Sequence, residues 1–176
     1  YSEGFSPKPR IINMGALPLG LETVCEILGV ETLVPLDLSE NKLPELMKKL
    51  NAPFPMGMKI LKIEKLSYKL SSQFPKSMTY SFLPEKIPEG LLEKFVERKL
   101  PVVKNHRGQE VDLNQHILDL QIRKGKIYVR VKCNDQGGTA SPYPLFGGLM
   151  GLESDAASLD DLSRRFLIRK ESMHWD

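Results

Sequence analysis

The fold is decided by one stretch of the chain, Leu118-Asp-Leu-Gln-Ile-Arg-Lys-Gly-Lys-Ile-Tyr-Val-Arg-Val131. Apolar residues alternate strictly on both sides of Lys124-Gly125, which is typical of two antiparallel strands joined by a two-residue turn. A turn at this position places every apolar side chain on one face of the hairpin. The predicted pairs are Ile122 with Ile127, Leu120 with Val129, and Leu118 with Val131. The apolar face is therefore predicted to pack in a core.

The second face of the hairpin is polar and mostly basic. It carries Asp119, Gln121, Arg123, Lys126, Tyr128, Arg130 and Lys132. An aromatic ring among cations is the combination that holds single-stranded nucleic acid, but the solvated side of an antiparallel sheet shows the same pattern. Both interpretations stay open, and Arg130 is the candidate contact residue.

Patterns elsewhere predict further strands and helices around the hairpin. Helices are predicted from Ser39 to before Pro53 and from Pro88 through Val96, where apolar residues recur at helical spacing. Strands are predicted at 11–14, 24–33, 58–66, 79–83 and 166–168, with a short helix or apolar turn within 142–152. The chain is thus predicted to be an α+β protein of two small halves, residues 1–70 and 71–176, with mostly antiparallel sheets.

Composition and charge exclude several classes of protein. The 176 residues are 41% hydrophobic and 27% charged, which is ordinary for a globular protein, and a net charge of +3 is too small to predict a polyanion partner. The chain contains neither a bilayer-length apolar run nor a signal-peptide pattern, so a cytoplasmic protein outside the membrane is expected. Because it opens at Tyr1 within a loop pattern, we expect it to be part of a longer or processed protein.

The motifs of common enzymes and metal sites are missing. Cys25 and Cys133 lie far apart and outside any CxxC pattern, which predicts that the chain itself binds neither zinc nor an iron–sulfur cluster. The three histidines, at positions 106, 116 and 174, are isolated, and no hydrolase, metalloprotease or phosphate-loop spacing is present. An independent enzyme is therefore the least favoured class of function, and no cofactor is expected on this chain.

The segment from Tyr1 to Arg10 is the most suggestive of binding. Two prolines, at positions 7 and 9, restrict its backbone, while Tyr1, Phe5, Lys8 and Arg10 supply rings and cations. A rigid aromatic and cationic loop suits a polar or anionic ligand, although a loop stiffened only for packing has the same composition.

Three quoted segments resemble the radical-SAM-linked protein family of bacteria. They are Tyr1-Ser-Glu-Gly-Phe-Ser-Pro-Lys-Pro-Arg-Ile11, Ala16-Leu-Pro-Leu-Gly20, and the acidic pair Glu22 and Glu26. The resemblance extends through residues 104–112, the hairpin and Arg169. It implies a protein encoded beside, or fused behind, a radical SAM enzyme, with ribonuclease and ribosomal-protein genes as neighbours. It also implies that the first half is an incomplete ferredoxin-like (βαββαβ) unit.

The residues and the resemblance together predict an accessory or substrate-binding protein for a radical SAM enzyme, connected with RNA or ribosome-related modification. S-adenosylmethionine, an iron–sulfur cluster and cobalamin are then expected in the partner. The candidate substrate or partner contacts are Tyr1, Phe5, Lys8, Arg10, Glu22, Glu26, Arg130 and Arg169. The alternative is a free-standing RNA-binding module of ribosome or tRNA metabolism. A docking protein should show an apolar patch, whereas an RNA binder should show a contiguous basic surface.

Overall fold

The computed structural model describes residues 11–15, 17, 20–32, 34–66, 74–105, 107–152 and 167–175. The strands are β1 (Ile11–Asn13), β2 (Glu22–Thr23), β3 (Leu28–Val30), β4 (Ser77–Phe82), β5 (Val102–Lys104), β6 (Glu110–Asp112), β7 (Ile117–Arg123), β8 (Lys126–Lys132) and β9 (Ile168–His174). The helices are α1 (Leu43–Asn51), α2 (Leu91–Val96), α3 (Leu113–His116) and α4 (Pro142–Leu149). The chain is therefore an α+β protein, as predicted.

The main sheet has five strands in the order β2-β9-β4-β8-β7. Strand β2 pairs with β9 in parallel, and the other neighbouring strands pair antiparallel. Two small two-stranded sheets, β1-β3 and β5-β6, complete the strand pairing that the structure describes. The sheets are thus mostly antiparallel.

The predicted hairpin is confirmed, with one correction to its register. Lys124 and Gly125 form the turn at φ of 49° and 77°, and Ile122 pairs with Ile127 and Leu120 with Val129. The register shifts between Ile117 and Asp119, so that Ile117 rather than Leu118 pairs with Val131. The predicted pair of Leu118 and Val131 is therefore wrong. Because of the shift, Ile117 is buried and Leu118 is 47% exposed.

The core lies on the apolar side of the five-stranded sheet. The ring of Phe146 on α4 packs edge-on to Tyr80, with centroids 6.4 Å apart, and lies 4.2 Å from the ring of Phe82. The buried residues of the hairpin, among them Leu120, Ile127 and Val129, belong to the same core. Alternation along β4, β7 and β8 therefore separates an apolar face under α4 from a polar face.

Other predicted elements differ in extent. Helix α1 begins at Leu43 because Ser39 closes a turn, its carbonyl accepting from the backbone N–H groups of Lys42 and Leu43. The predicted strand at 58–66 does not form, since the Asn51 side chain accepts from Ile60 N at 2.6 Å and donates to Ile60 O at 3.2 Å. These bonds occupy the backbone groups that a strand ladder would need.

Three further boundaries moved. Of the strand predicted at 24–33, the described residues form only β3, and β2 lies just before the predicted range. Helix α2 begins at Leu91 rather than at Pro88, and the strand predicted at 166–168 is the seven-residue β9. Within the described residues, no helix is long and apolar enough to span a bilayer.

The chain divides into two compact units. The first consists of Tyr1–Ile12 with Gly29–Ser72, and the second of Asn13–Leu28 with Gln73–Asp176. The described residues of the first unit carry helix α1 and parts of β1 and β3, and the ferredoxin-like arrangement is not confirmed. The division into halves at residue 70 stays a prediction, and the structure assigns Asn13–Leu28 to the second unit.

Candidate functional site

Three of the predicted contact residues lie in the five-stranded sheet on the side away from the core. Arg169 pairs in register with Ser81 on one side and with Glu22 on the other. Arg130 pairs with Thr79, which lies two positions before Ser81 on β4 and therefore on the same face. Since partners in register share a face, the sheet brings Glu22, Arg130 and Arg169 to one surface. We call this surface the polar sheet face and define it by Glu22, Ser77, Thr79, Ser81, Tyr128, Arg130, Arg169, Glu171 and His174.

Hydrogen bonds connect the side chains of the polar sheet face to one another. Arg130 Nε donates to Ser77 Oγ at 2.7 Å, and Ser81 Oγ donates to Glu171 Oε1 at 2.5 Å. Arg169 Nε lies 3.7 Å from Glu171 Oε2. Ser77 and Ser81 are almost fully buried although they lie on this side of the sheet. The bond to Ser77 orients the Arg130 guanidinium, and the Glu171 carboxylate lies beside Arg169, so the face has mixed charge.

His174 is the histidine of this face, and it contacts two hydroxyl groups. Its Nε2 lies 2.9 Å from Thr79 Oγ1 and 3.0 Å from Ser172 Oγ. A hydroxyl nucleophile needs a ring nitrogen dedicated to it, held in place by a third group. Here a single nitrogen is shared by two hydroxyls, which favours a structural role for His174.

Glu26 lies apart from the polar sheet face, because its partner is a buried lysine of the core side. Lys170 on β9 is 1% exposed, and its ammonium forms an ion pair with the Glu26 carboxylate. The same ammonium donates to Gly15 O at 3.0 Å. Gly15 has φ of 76°, a backbone conformation that glycine adopts freely and that a larger residue would adopt only with strain. Glu26 therefore ties the segment 13–28 to β9.

Sequence reasoning did not single out Lys170. The run Arg169-Lys170-Glu171 has the composition of an exposed strand, and nothing in it distinguishes the middle residue. Its burial depends on Glu26 and Gly15, which are far away in the sequence. The signal that was available is alternation, since Ile168 and Lys170 share a face of β9.

The thiols and the phenol near this ion pair are held in their neutral forms. Burial raises the pKa of the Cys25 thiol and of the Cys133 thiol. Burial also raises the pKa of Tyr80 to about 12, although its hydroxyl lies 3.1 Å from Thr139 Oγ1. Thiols with a raised pKa are poor nucleophiles and poor metal ligands at neutral pH. Among the described residues, no three His, Cys, Asp or Glu side chains are grouped so that they could hold a metal ion.

The four N-terminal candidates, Tyr1, Phe5, Lys8 and Arg10, lie outside the described residues. Their contact with a substrate or partner stays a prediction.

The first unit exposes its apolar side chains. None of its described residues, 11–12, 29–32 and 34–66, is buried. Met56 is fully exposed, and Leu61, Met58, Leu50 and Phe54 are between 68% and 37% exposed. These five residues lie at the end of α1 and in the segment that the Asn51 side chain holds against Ile60. We call them the α1–loop surface.

Comparison with known families gives one match. Residues 1–142 match the family described as "Uncharacterized protein conserved in bacteria (DUF2344)". The chain belongs to this family. The part that matches DUF2344 includes the α1–loop surface, Glu22, Glu26 and Arg130, whereas Arg169 and Lys170 on β9 lie beyond it. No curated protein and no solved structure matches the chain significantly.

Proposed function

We propose that this chain is an accessory protein that docks onto a partner enzyme and brings a substrate to it. The observation that carries the proposal is the α1–loop surface, where five large apolar side chains are exposed on a folded segment. Exposed apolar groups cost free energy in water, about 25 cal/mol for each Å² that a partner would otherwise cover. Several of them within one short stretch of ordered backbone are typical of a surface that another protein covers.

The chemistry around the α1–loop surface indicates what the partner should present. Lys48, Lys49, Lys59, Lys62 and Lys65 lie in or beside it. Two of them have acidic neighbours, since Lys49 pairs with Glu45 at 2.7 Å and Lys62 pairs with Glu64 at 2.5 Å. The complementary partner surface is therefore apolar at its centre and acidic at its rim, as in other protein interfaces with an apolar core.

We propose a radical SAM enzyme as the partner, because the resemblance described above implies one. S-adenosylmethionine, the iron–sulfur cluster and cobalamin would then belong to that enzyme. The substrate side of the proposal rests on Tyr1, Phe5, Lys8 and Arg10, with Glu22, Arg130 and Arg169 of the polar sheet face as further contacts. An RNA or a ribosomal component is the proposed substrate class.

Substitution of Met56 tests the docking surface. Met56→Asp should weaken binding to the radical SAM enzyme at least about tenfold, because it places a charge where apolar contact is expected. The thermal midpoint should not change, since the side chain is fully exposed. Leu83→Asp is the matched control, because Leu83 is 50% exposed and belongs to the second unit. Equal loss of binding in both variants would reject the α1–loop surface as the docking site.

Free-standing RNA binding is the second candidate, and one observation favours it. The turn end of the hairpin is basic, with Arg123 and Lys126 paired in register beside Lys124, and the Tyr128 ring lies on the same face. If RNA binds there, the affinity for single-stranded RNA should fall steeply with salt. It should also fall when Arg130 and Lys132 become Ala, but not when Lys48 and Lys49 do. Undetectable binding at low salt would leave this candidate without support.

A further inference from the structure

A cleft of about 690 Å³ lies within the second unit, away from the polar sheet face residues. It is bordered by α2, by β5 and by the end of α4. Its apolar lining includes Leu91, Leu100 and Leu149, each no more than 4% exposed. This volume is within the range of ligand sites in proteins, roughly 300–1,000 Å³.

Gly148 brings α4 close to β5 at this place. A Cβ on Gly148 would lie 2.3 Å from Val103 Cγ1 and 3.2 Å from Leu113 Cδ1, so a larger residue would push the helix away. The wall of the cleft is thus fixed by close packing on one side. On the other side Val102 is 57% exposed, which leaves an apolar side chain facing solvent at the edge of the cleft.

The charges of the cleft have one sign. Lys94, Lys99 and Lys104 are among its lining residues, and the residues of the described chain that line it include no acid. Lys99 also pairs with Glu97 at 2.7 Å, and both of those side chains remain more than half exposed. An apolar floor beneath three cations suits a ligand that has apolar groups and several carboxylates.

We propose that this cleft binds an acidic peptide segment of a partner protein, with a leucine- or phenylalanine-type side chain seated on the apolar floor. Even with Lys99 paired to Glu97, Lys94 and Lys104 exceed what a single carboxylate could neutralise, which favours a chain of acidic residues over a fatty-acid anion. Bound RNA would leave the leucines uncovered, and no aromatic residue lines the described cleft for bases to stack on. This site lies in the second unit and does not depend on the docking surface proposed above.

The test uses the full chain and a short fluorescent peptide composed of Asp, Glu, Leu and Phe, with binding measured by fluorescence anisotropy. Lys94→Glu combined with Lys104→Glu should weaken binding at least about tenfold, since the rim then repels the peptide. Val102→Asp should also weaken it. The matched control is Lys126→Glu combined with Lys132→Glu, which changes the net charge equally at the hairpin and should bind as the unchanged chain does.

Several results would overturn the proposal. Absence of peptide binding to the unchanged chain is one of them. Equal loss of affinity in both double variants is another, since it would indicate general charge attraction. A peptide with Ser in place of Leu and Phe that binds as tightly would exclude the apolar floor. Displacement of the peptide by decanoate at similar concentration would assign the cleft to a fatty-acid anion. Residues 153–161 of this chain include Glu153, Asp155, Asp160 and Asp161. Peptide binding that appears only after the three Asp residues become Asn would assign the cleft to this acidic segment of the chain itself.

Discussion

The ion pair between Lys170 and Glu26 is unequal in its burial. The Lys170 side chain is 1% exposed, whereas the Glu26 side chain is 25% exposed. Removing one member of a buried pair is costly because the other charge is left without compensation, and the cost depends on how much water that charge can reach. The two possible single deletions should therefore differ in their effect on stability.

Glu26→Gln should lower the free energy of unfolding by about 3 kcal/mol, because it leaves the buried ammonium, which also donates to Gly15 O, without a compensating negative charge. Lys170→Met should cost only about 1 kcal/mol, since the chain length is kept and the carboxylate can be hydrated. Urea unfolding measures both, and Glu22→Gln on the exposed edge strand is the control. A larger loss for Lys170→Met than for Glu26→Gln would contradict this account of the pair.

Tyr80 makes the stability depend on alkaline pH. Burial holds its pKa at about 12 in the folded chain, against an ordinary value of 10.0. Between pH 10 and pH 12 the unfolded chain loses this proton while the folded chain keeps it, so stability falls as the pH rises. The loss approaches about 2–3 kcal/mol once the pH exceeds the folded pKa.

The check is a series of urea titrations from pH 9 to pH 12 on the unchanged chain and on Tyr80→Phe. The variant should lose less stability over this interval, although Cys25 and Cys133, whose thiol pKa values are also raised, keep some pH dependence. The variant also loses the contact with Thr139, which lowers its stability at every pH. The two proteins are therefore compared by how steeply the free energy of unfolding changes with pH. Parallel slopes in the two proteins would show that Tyr80 ionises normally.

At the scale of elements, the turn of the β7–β8 hairpin contains a strained residue. Lys124 and Gly125 both have positive φ, a backbone conformation that glycine adopts freely and asparagine tolerates better than lysine does. A lysine at the first of the two positions therefore raises the free energy of the folded hairpin.

Lys124→Asn should raise the free energy of unfolding by roughly 0.5–1 kcal/mol, since asparagine adopts this conformation at lower cost. Lys126→Asn removes the same charge from the neighbouring strand, where asparagine is disfavoured, and should not stabilise the protein. The midpoint of urea unfolding distinguishes them. If the two variants have equal midpoints, the turn carries no strain at Lys124.

The sequence predicted the elements whose information is local and missed those fixed by distant contacts. Strict alternation around Lys124-Gly125 identified the hairpin, its turn and most of its register. The bulge that places Ile117 in the core and Leu118 outside leaves no mark on an alternating pattern, because both residues are apolar. The strand predicted at 58–66 does not form, because the Asn51 side chain makes two hydrogen bonds to the backbone of Ile60. Residue propensities do not reveal such a side-chain contact.

For the candidate site too, the sequence predicted what depends on a single strand and missed what depends on the pairing of distant strands. Arg130 was predicted from its strand alone, and the structure adds that Arg169 and Glu22 lie on the same face through the β2–β9–β4 pairing. Strand β9 lies far from both β2 and β4 in the sequence, so sequence alone could not bring these side chains together. Glu26 was predicted as a contact residue together with Glu22, but it pairs with Lys170 on the core side of the sheet. The two glutamates are close in the sequence and lie on different sides of the sheet.

At the scale of the whole molecule, the two units differ in how they use apolar residues. The second unit buries a core of sheet and helix side chains, while the described residues of the first unit leave theirs in contact with water. A folded segment gains little stability from apolar side chains that it does not bury. Their presence is explained if a partner covers them, which is the basis of the proposed accessory role.

The most direct test of that role is the turnover rate of the proposed radical SAM partner, measured with this chain, without it, and with Met56→Asp in its place. We expect a higher rate with the unchanged chain, and a loss of most of that gain with Met56→Asp but not with Leu83→Asp. Phe5→Ala and Arg10→Ala should bind the enzyme normally and still lower the rate, since they are proposed to contact the substrate. Equal turnover with and without the chain would contradict the accessory role.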